Sequence, residues 1–197
     1  MSITIQNTPK AGFKKNLKAI EFYILLIRFM LNHQKIRESF KTSEIKVLFV
    51  AESPPERDTF FYSAKSFLHH YTRKAFYTYY KDEIDKLCPS FLDFFKSEGF
   101  YLDDLCHKPT KFGDIRKDKK QYIADLSERF KEYNPRAIII TPLRIDGFVR
   151  KAILQSGLII DSELIFTLYF AGNGFQNKYV SGLERALAIL ISKGIIK

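Results

Sequence analysis

The sequence predicts an α/β protein, a three-layer α/β/α sandwich around a central four-stranded parallel sheet. Two observations predict this fold class. Four short apolar segments have the composition of strands that are covered on both faces, and segments with helical spacing or helix-ending signals separate them. Strands that alternate with helices in this way pack as a parallel sheet with helices on its faces. The length of 197 residues suits one such domain.

The N-terminal part of the chain predicts a long helix ahead of the first strand. Apolar residues recur there every three or four positions, which indicates an amphipathic helix from about Gly12 to Phe40. We therefore expect residues 1–45 to form a helical extension that packs on the core, and residues 46–197 to form the α/β domain. The first strand is predicted at Lys46–Ala51, where every residue after the lysine is apolar.

The remaining elements follow from local start and stop signals. Residues 63–98 are predicted to be helical, with one helix ending near Tyr80 and another beginning at Pro89 and ending at Gly99. In chain order, the later predictions are a strand at Tyr101–Cys106 that runs into a polar turn, a basic segment over 107–120, a helix to Tyr133, a strand at Ala137–Ile140, a helix to Gly157, a strand at Leu164–Phe170, and a last helix after the loop 171–177.

Three predicted loops carry residues that could perform chemistry. In open parallel sheets, ligands bind outside the carboxyl ends of the strands. The loops after the first, second and fourth strands therefore share one rim. They contain Glu52-Ser53-Pro54-Pro55, Asp103-Asp104 and Gly172-Asn173-Gly174.

Composition indicates the class of partner. The chain has a net charge of +10 and an aromatic content of 15%, with a concentrated basic run over 107–120. An excess of positive charge favours polyanionic partners, nucleic acid first. Aromatic side chains beside basic ones suit single strands or extruded bases, which are held by stacking, although most of the aromatic residues are expected in the core.

The cysteine count and the hydropathy of the chain exclude several classes of protein. Two cysteines exclude a disulfide framework and any four-cysteine zinc or iron–sulfur site within one chain. A reduced, cytoplasmic protein is the default expectation. The longest apolar run, Phe22–Leu31, falls well short of the ~20 residues of a membrane span. No histidine has a partner at metal-ligand spacing, so we predict no metal, no cofactor and no membrane association.

Residues 47–55, Val-Leu-Phe-Val-Ala-Glu-Ser-Pro-Pro, resemble the first motif of the uracil-DNA glycosylase superfamily, most closely its Gly-Glu-Ala-Pro-Gly form. Glu52 matches the acid and Pro54 the proline, while the residues beside them depart from the motif. Residues 103–109 resemble the superfamily's Asn-Val-Val-Lys-Cys-Arg-Pro stretch, and 134–139 its next helix-to-strand junction. Residues 171–177 occupy the place of its His-Pro-Ser motif without the histidine. The resemblance covers roughly residues 46 to 194.

The resemblance implies roles for these residues. Glu52 would stabilise an oxocarbenium-like sugar and orient the attacking water. Phe60, Phe61 or Tyr62 would stack on the extruded base. Asp103 stands where the family reads the base edge with an asparagine. Because an ionised aspartate only accepts hydrogen bonds, a base edge with an amino group would fit it better than uracil.

The fourth-strand loop and the basic run complete the candidate set. Asn173 could donate to the leaving base in place of the missing histidine. Contacts to DNA phosphates are assigned to Ser53, Lys108, Lys111, Gly172, Gly174, Asn177 and Lys178. These residues also have structural alternatives. The glycines could belong to a tight turn, and the lysines could form a solvated basic face. Asp103 could be a solvated acid in a turn, and Glu52 could cap a helix or form an ion pair with a lysine.

The function implied is hydrolysis of the N-glycosidic bond of a deaminated base in damaged or single-stranded DNA. We expect a monomeric, monofunctional glycosylase in the cytoplasm, associated with the nucleoid. Two alternatives stay open: a catalytically silent nucleic-acid-binding module of the same fold, and an unrelated nucleotide-binding α/β protein. The enzyme requires a partly buried Glu52 facing an aromatic-floored pocket, whereas the module predicts a filled pocket beneath a positive surface.

Overall fold

The computed structural model describes residues 32–56, 59–87 and 90–197. The strands are β1 (Val47–Ala51), β2 (Phe100–Asp104), β3 (Ala137–Ile140) and β4 (Ile165–Thr167). The helices are α1 (residues 32–39), α2 (Phe67–Leu87), α3 (Phe91–Ser97), α4 (Phe112–Lys117), α5 (Lys119–Tyr133), α6 (Asp146–Ser156) and α7 (Gln176–Ser192). Most of the predicted N-terminal helix, residues 12–31, lies outside the described residues.

The four strands form one parallel sheet in the order β2-β1-β3-β4. The two central strands are β1 and β3, and Val47 pairs with both Phe100 and Ala137. Both central strands are fully buried, as their continuous apolar sequences predict. The predicted α/β class with a four-stranded parallel sheet is therefore confirmed.

Helices cover both faces of this sheet and complete three layers. On one face α5 packs against α6, and on the other α2 packs against α3 and α7. The connections β1-to-β2 and β2-to-β3 cross the sheet in opposite directions. Since both are right-handed, their helices must lie on opposite faces. An aromatic cluster centred on Phe76 fills the space between the α2 layer and the sheet.

The strand order creates a topological switch point between β1 and β3. The chain leaves β1 toward one edge of the sheet and leaves β3 toward the other. The connecting segments therefore diverge and leave a crevice at the carboxyl ends of these two strands. The fold thus places this crevice, the position where open α/β sheets bind ligands, beside the residues that follow β1.

The helix end predicted near Tyr80 coincides with a kink, because Tyr80 has non-helical angles of φ −129° and ψ 24°, and a second helical segment continues α2 to Leu87. Other predicted boundaries require correction. The first strand begins one residue later than predicted, at Val47. The next helix begins at Phe91, because the side chain of Ser90 accepts a hydrogen bond from the Asp93 N–H and caps it.

Two later segments differ from the sequence expectation. The basic segment 107–120 contains a helix that the sequence patterns do not predict, α4, which buries Ile115 completely. Strand β4 is shorter than predicted, since the chain leaves the sheet after Leu168, whose N–H bonds to the Ile140 carbonyl. Among the described helices, none is both long and apolar enough to cross a membrane.

Candidate functional site

A pocket of about 730 Å³ lies at the carboxyl ends of β1 and β3, in the crevice of the switch point. Its volume is typical of small-molecule sites. Segments after all four strands contribute to it, together with the start of α2. The lining includes Ala51, Glu52, Ser53, Pro54, Pro55, Phe60, Phe61, Lys65, Phe67, Leu102, Asp104, Thr110, Lys111, Thr141, Pro142, Arg144, Phe170, Asn173 and Phe175.

Glu52 faces this pocket in an ion pair with Arg144. Its side chain is 13% exposed. Arg144 donates from Nη2 to Oε1 at 2.6 Å and from Nε to Oε2, so both carboxylate oxygens are engaged. The guanidinium also lies 4.8 Å from the centre of the Phe112 ring. The hydrogen bonds to Glu52 raise the pKa of Arg144. The ion-pair alternative for Glu52 is therefore present, with an arginine in place of a lysine, and the pair spans the switch point.

Asp103 lies outside the pocket, in a buried ionic cluster on the α5 side of the sheet. Its carboxylate is 0% exposed. It is bound by His107 Nε2 at 2.8 Å, by the Tyr133 hydroxyl at 3.2 Å and by Arg129. Burial alone would raise its pKa, but Arg129, His107 and Arg37 together lower it. The structure therefore places the carboxylate predicted at the base edge among structural partners.

Asp104 lines the pocket in its place. Alternate side chains of a strand point to opposite faces, so Asp104 and Leu102 face the pocket and Asp103 does not. The Asp104 carboxylate accepts a hydrogen bond from Arg37 of α1. Burial raises the pKa of Asp104 despite this partner, and the neighbouring Asp103 charge adds to the effect. From sequence, the alternation rule indicates that the two acids point to opposite faces, but not which of these faces holds the pocket.

The three consecutive aromatic residues after β1 are all buried, and they divide into two roles. Phe60 and Phe61 line the pocket. The Tyr62 hydroxyl donates to the Leu102 carbonyl at 3.0 Å and accepts from the Leu102 N–H at 2.7 Å. Tyr62 therefore satisfies the open side of β2, while its two neighbours form the apolar floor.

The loop between β4 and α7 is a tight turn at the mouth of the pocket. The Phe175 N–H donates to the Gly172 carbonyl at 3.0 Å, and the two central residues have positive φ, 54° at Asn173 and 83° at Gly174. This is the pattern of a type I′ turn, for which Asn-Gly is the preferred pair. Gly172 has another role, since a Cβ there would lie 2.8 Å from Cε1 of Phe170.

The predicted phosphate contacts are distributed over three places. Ser53 donates from Oγ to the Thr110 carbonyl at 3.1 Å, and so ties two lining segments together. Lys111 is exposed at the pocket, and Lys108 is exposed outside the lining. Asn177 and Lys178 lie at the start of α7 and line a second groove beside β4.

The sequence interpretation missed the residues that form the pocket mouth. Phe67 is 66% exposed, and Phe170 and Phe175 are also exposed there. Arg144 lies in the segment that follows β3. By the rule that identified the other three loops, this segment belongs to the same rim. Applying that rule to all four strands would have included it.

A buried thiol lies directly beneath the site. The Cys106 N–H donates to the Glu52 carbonyl at 3.1 Å, and its side chain is completely buried. Burial raises the pKa of the Cys106 thiol to about 12, with smaller contributions from Asp104 and Glu52. A thiol in this state is neutral and unreactive, which gives it a packing role.

Neither a known protein-family model nor a curated protein sequence matches this chain. Within residues 32–56, 59–87 and 90–197, no cluster of three or more His, Cys, Asp or Glu side chains could hold a metal ion.

Proposed function

We propose that the pocket receives a base extruded from DNA and that Glu52 serves hydrolysis of its N-glycosidic bond, in a uracil-DNA glycosylase-like arrangement. One observation carries the proposal. The partly buried carboxylate of Glu52 faces an open pocket at the switch point, and the mouth of that pocket carries the exposed rings of Phe67, Phe170 and Phe175. The buried rings of Phe60 and Phe61 form only its apolar floor. A catalytic carboxylate and an exposed stacking surface are the two elements that excision of an extruded base requires.

The chemistry follows from the position of Glu52. As the bond from C1′ to the base nitrogen breaks, positive charge develops on the sugar and the bonding electrons leave with the base. A fixed carboxylate stabilises that cation and orients a water, whose oxygen bonds to C1′ while its proton passes to the departing base. Arg144 holds the carboxylate in one orientation. A carboxylate offers about four lone-pair positions, so two arginine bonds leave others for water.

Recognition of the base is assigned to Asp104 and Asn173. Both side chains line the pocket and present polar atoms to a base held there. The Asp104 carboxylate, which is paired with Arg37, accepts hydrogen bonds and suits a base edge with an amino group. The Asn173 amide at the pocket mouth supplies a donor.

A second candidate is binding of nucleic acid without hydrolysis. The observation that favours it is the engagement of both Glu52 oxygens by Arg144. In such a module the ion pair would close the switch point as a structural link, and the pocket would hold a base without cleaving it.

A base-release assay tests the first candidate against the second. The protein is incubated with single-stranded and duplex oligonucleotides that carry uracil, hypoxanthine or xanthine, and abasic sites are then cleaved with alkali. We expect strand breaks that Glu52→Gln reduces by at least ~100-fold, because the carboxylate acts on the transition state. The matched control, Glu163→Gln, alters an exposed acid that pairs with Lys193 and should leave the rate unchanged.

The alternative outcomes are distinct. Release that survives Glu52→Gln would remove Glu52 from the mechanism. Binding of these oligonucleotides with no release of any base would reject hydrolysis and leave the binding module.

A further inference from the structure

We propose that single-stranded DNA reaches the pocket along a surface formed by the end of β4, the turn after it and α7. This surface, here called the strand track, consists of Tyr169, Phe175, Lys178 and Arg185. The proposal rests on the proposed function in one respect, since the base held in the pocket belongs to the strand on the track. It adds the strandedness of the substrate and the path of its backbone.

An exposed aromatic stack forms the ridge of the track. The rings of Tyr169 and Phe175 lie 5.3 Å apart with an angle of 15° between their planes. They are 37% and 41% exposed, in contrast to the buried aromatic residues of the core. Phe175 lines the pocket and Tyr169 lines the neighbouring groove, so the pair separates the two cavities. Exposed aromatic faces are the surfaces on which bases of single strands stack.

The neighbouring groove continues the track along α7. It has a volume of about 700 Å³ and lies between β4 and α7. Asn177, Ser181 and Arg185 follow each other at intervals of four residues, so they lie on one face of the helix and line this groove. Over these eight residues the helix rises about 12 Å.

A cation lies where the aromatic stack meets the groove. Lys178 Nζ is 5.0 Å from the centre of the Tyr169 ring and 5.7 Å from that of Phe175. A base stacked on the ridge therefore has its phosphate within reach of Lys178, and the next phosphates follow the groove toward Arg185. The sign of these charges and the net charge of +10 are complementary to a polyanion.

The stack selects a single strand over a duplex. In a duplex the base faces are already stacked on each other inside the helix and cannot meet Tyr169 or Phe175. An unpaired strand offers these faces at little cost. Phe67, on the α2 wall of the pocket mouth, supplies a further exposed ring for the base that enters.

Fluorescence anisotropy with the full chain tests the track. The probes are an oligothymidylate of about 12 nucleotides, within the range of known single-strand sites, and a duplex of equal length. We expect the single strand to bind more tightly than the duplex. The affinity for the single strand should fall by about 5- to 150-fold in each of Tyr169→Ala and Phe175→Ala. Tyr79→Ala removes an exposed aromatic residue of α2 outside both cavities, and its affinity should be unchanged.

The salt dependence of binding tests the cationic part separately. Lys178→Gln and Arg185→Gln should each reduce the slope of log affinity against log salt by about 0.7, the value for one single-strand phosphate contact. Lys151→Gln, on the exposed side of α6, should leave the slope unchanged. Circular dichroism of every variant confirms that it is folded.

The outcomes that overturn the track differ from those that overturn hydrolysis. Equal or tighter binding of the duplex, or unchanged affinity in the double variant of Tyr169→Ala and Phe175→Ala, would reject the track even if bases are released. Absence of base release with the expected losses in the track variants would reject hydrolysis alone.

Discussion

At the scale of single residues, two adjacent acids have opposite environments. Burial would raise the pKa of both acids, but Arg129, His107 and Arg37 lower that of Asp103, whereas that of Asp104 stays raised. Arg37 contacts both, through Nε to Asp103 at 3.4 Å and through Nη2 to Asp104. The sequence shows two acids in a row but does not show these partners, since Arg37 and Arg129 come from distant helices. Strand alternation indicates that the two acids point to opposite faces of the sheet, and the structure shows that Asp104 is the one facing the pocket.

We expect Asp103→Asn to destabilise the protein by about 3–5 kcal/mol. Removal of one charge from a buried cluster leaves the others uncompensated, and here Arg37 and Arg129 would remain. The free energy of unfolding in urea measures the effect. Asp82→Asn, which removes an exposed i,i+4 pair with Lys86, should have little effect. Equal stability of the two variants would contradict the structural role of Asp103.

The stability of the protein should fall between about pH 6.5 and pH 4 because of His69. Burial, with smaller contributions from Arg73 and His70, lowers the pKa of His69 to about 4. The unfolded chain, in which this side chain titrates near 6.5, therefore binds the proton first as the pH falls, and folding is disfavoured. Unfolding free energies measured across this window should show a smaller slope in His69→Gln than in the native chain.

His70, the exposed neighbour of His69, provides the control for the pH dependence of the unfolding free energy. His70→Gln changes the adjacent position on α2 and should leave the slope as it is in the native chain. A slope that both variants reduce equally would assign the effect to charge on this part of α2, independent of burial.

At the scale of elements, α2 serves the core at one point and the pocket mouth at another. Phe76 is completely buried and contacts Phe91, Phe95 and Phe100. Phe67 begins the same helix and is largely exposed. Because both residues are phenylalanines in one helical segment, their residue type does not indicate which one packs in the core and which one lies at the pocket mouth.

Alanine substitution should separate these two roles. Phe76→Ala is expected to cost about 3–5 kcal/mol of unfolding free energy, the usual cost of removing a buried aromatic side chain. Phe67→Ala should leave stability nearly unchanged and weaken binding of a single-stranded oligonucleotide. Urea unfolding and anisotropy on the same two variants check both expectations. A stability loss in Phe67→Ala comparable to that of Phe76→Ala would place Phe67 in the core.

The β4–α7 loop shows what a turn signal can and cannot predict. Glycines at 172 and 174 indicated a turn with positive φ at both. The structure has positive φ at Asn173 and Gly174, while Gly172 allows the Phe170 ring to approach the backbone. The identity of a turn follows from its Asn-Gly pair, but close approach of a ring depends on tertiary packing that sequence spacing does not report.

At the scale of the whole molecule, the order of elements was predictable and the order of strands was not. Apolar runs and helix signals along the chain yield the α/β alternation directly. Which strands become neighbours depends on the direction of each crossover, and the chain does not encode this in a local pattern. Placement of β1 beside β3 is what brings Glu52 to Arg144, so the ion pair at the centre of the site was not available to sequence reasoning.

Ligand binding should stabilise the molecule as a unit. The pocket is lined by segments that follow all four strands and by α2, so a bound strand links both halves of the sheet. A ligand that binds only the folded chain adds about 2.7 kcal/mol at a concentration of 100 times its Kd. Thermal unfolding with oligothymidylate should therefore show a raised Tm in the native chain and in Glu52→Gln. An unchanged Tm at saturating oligonucleotide would contradict binding at this pocket.

The buried thiol beneath Glu52 can report local opening of the site through its rate of chemical labelling. Cys106 reacts with an alkylating reagent only when the end of β1 opens, because the folded state keeps the thiol neutral and out of reach. In a Cys88→Ser background, the rate of its labelling would time that opening. An oligonucleotide bound in the pocket should lower the labelling rate of Cys106. Occupancy of the site can then be measured as a reaction rate, without a labelled DNA and without knowledge of the lesion.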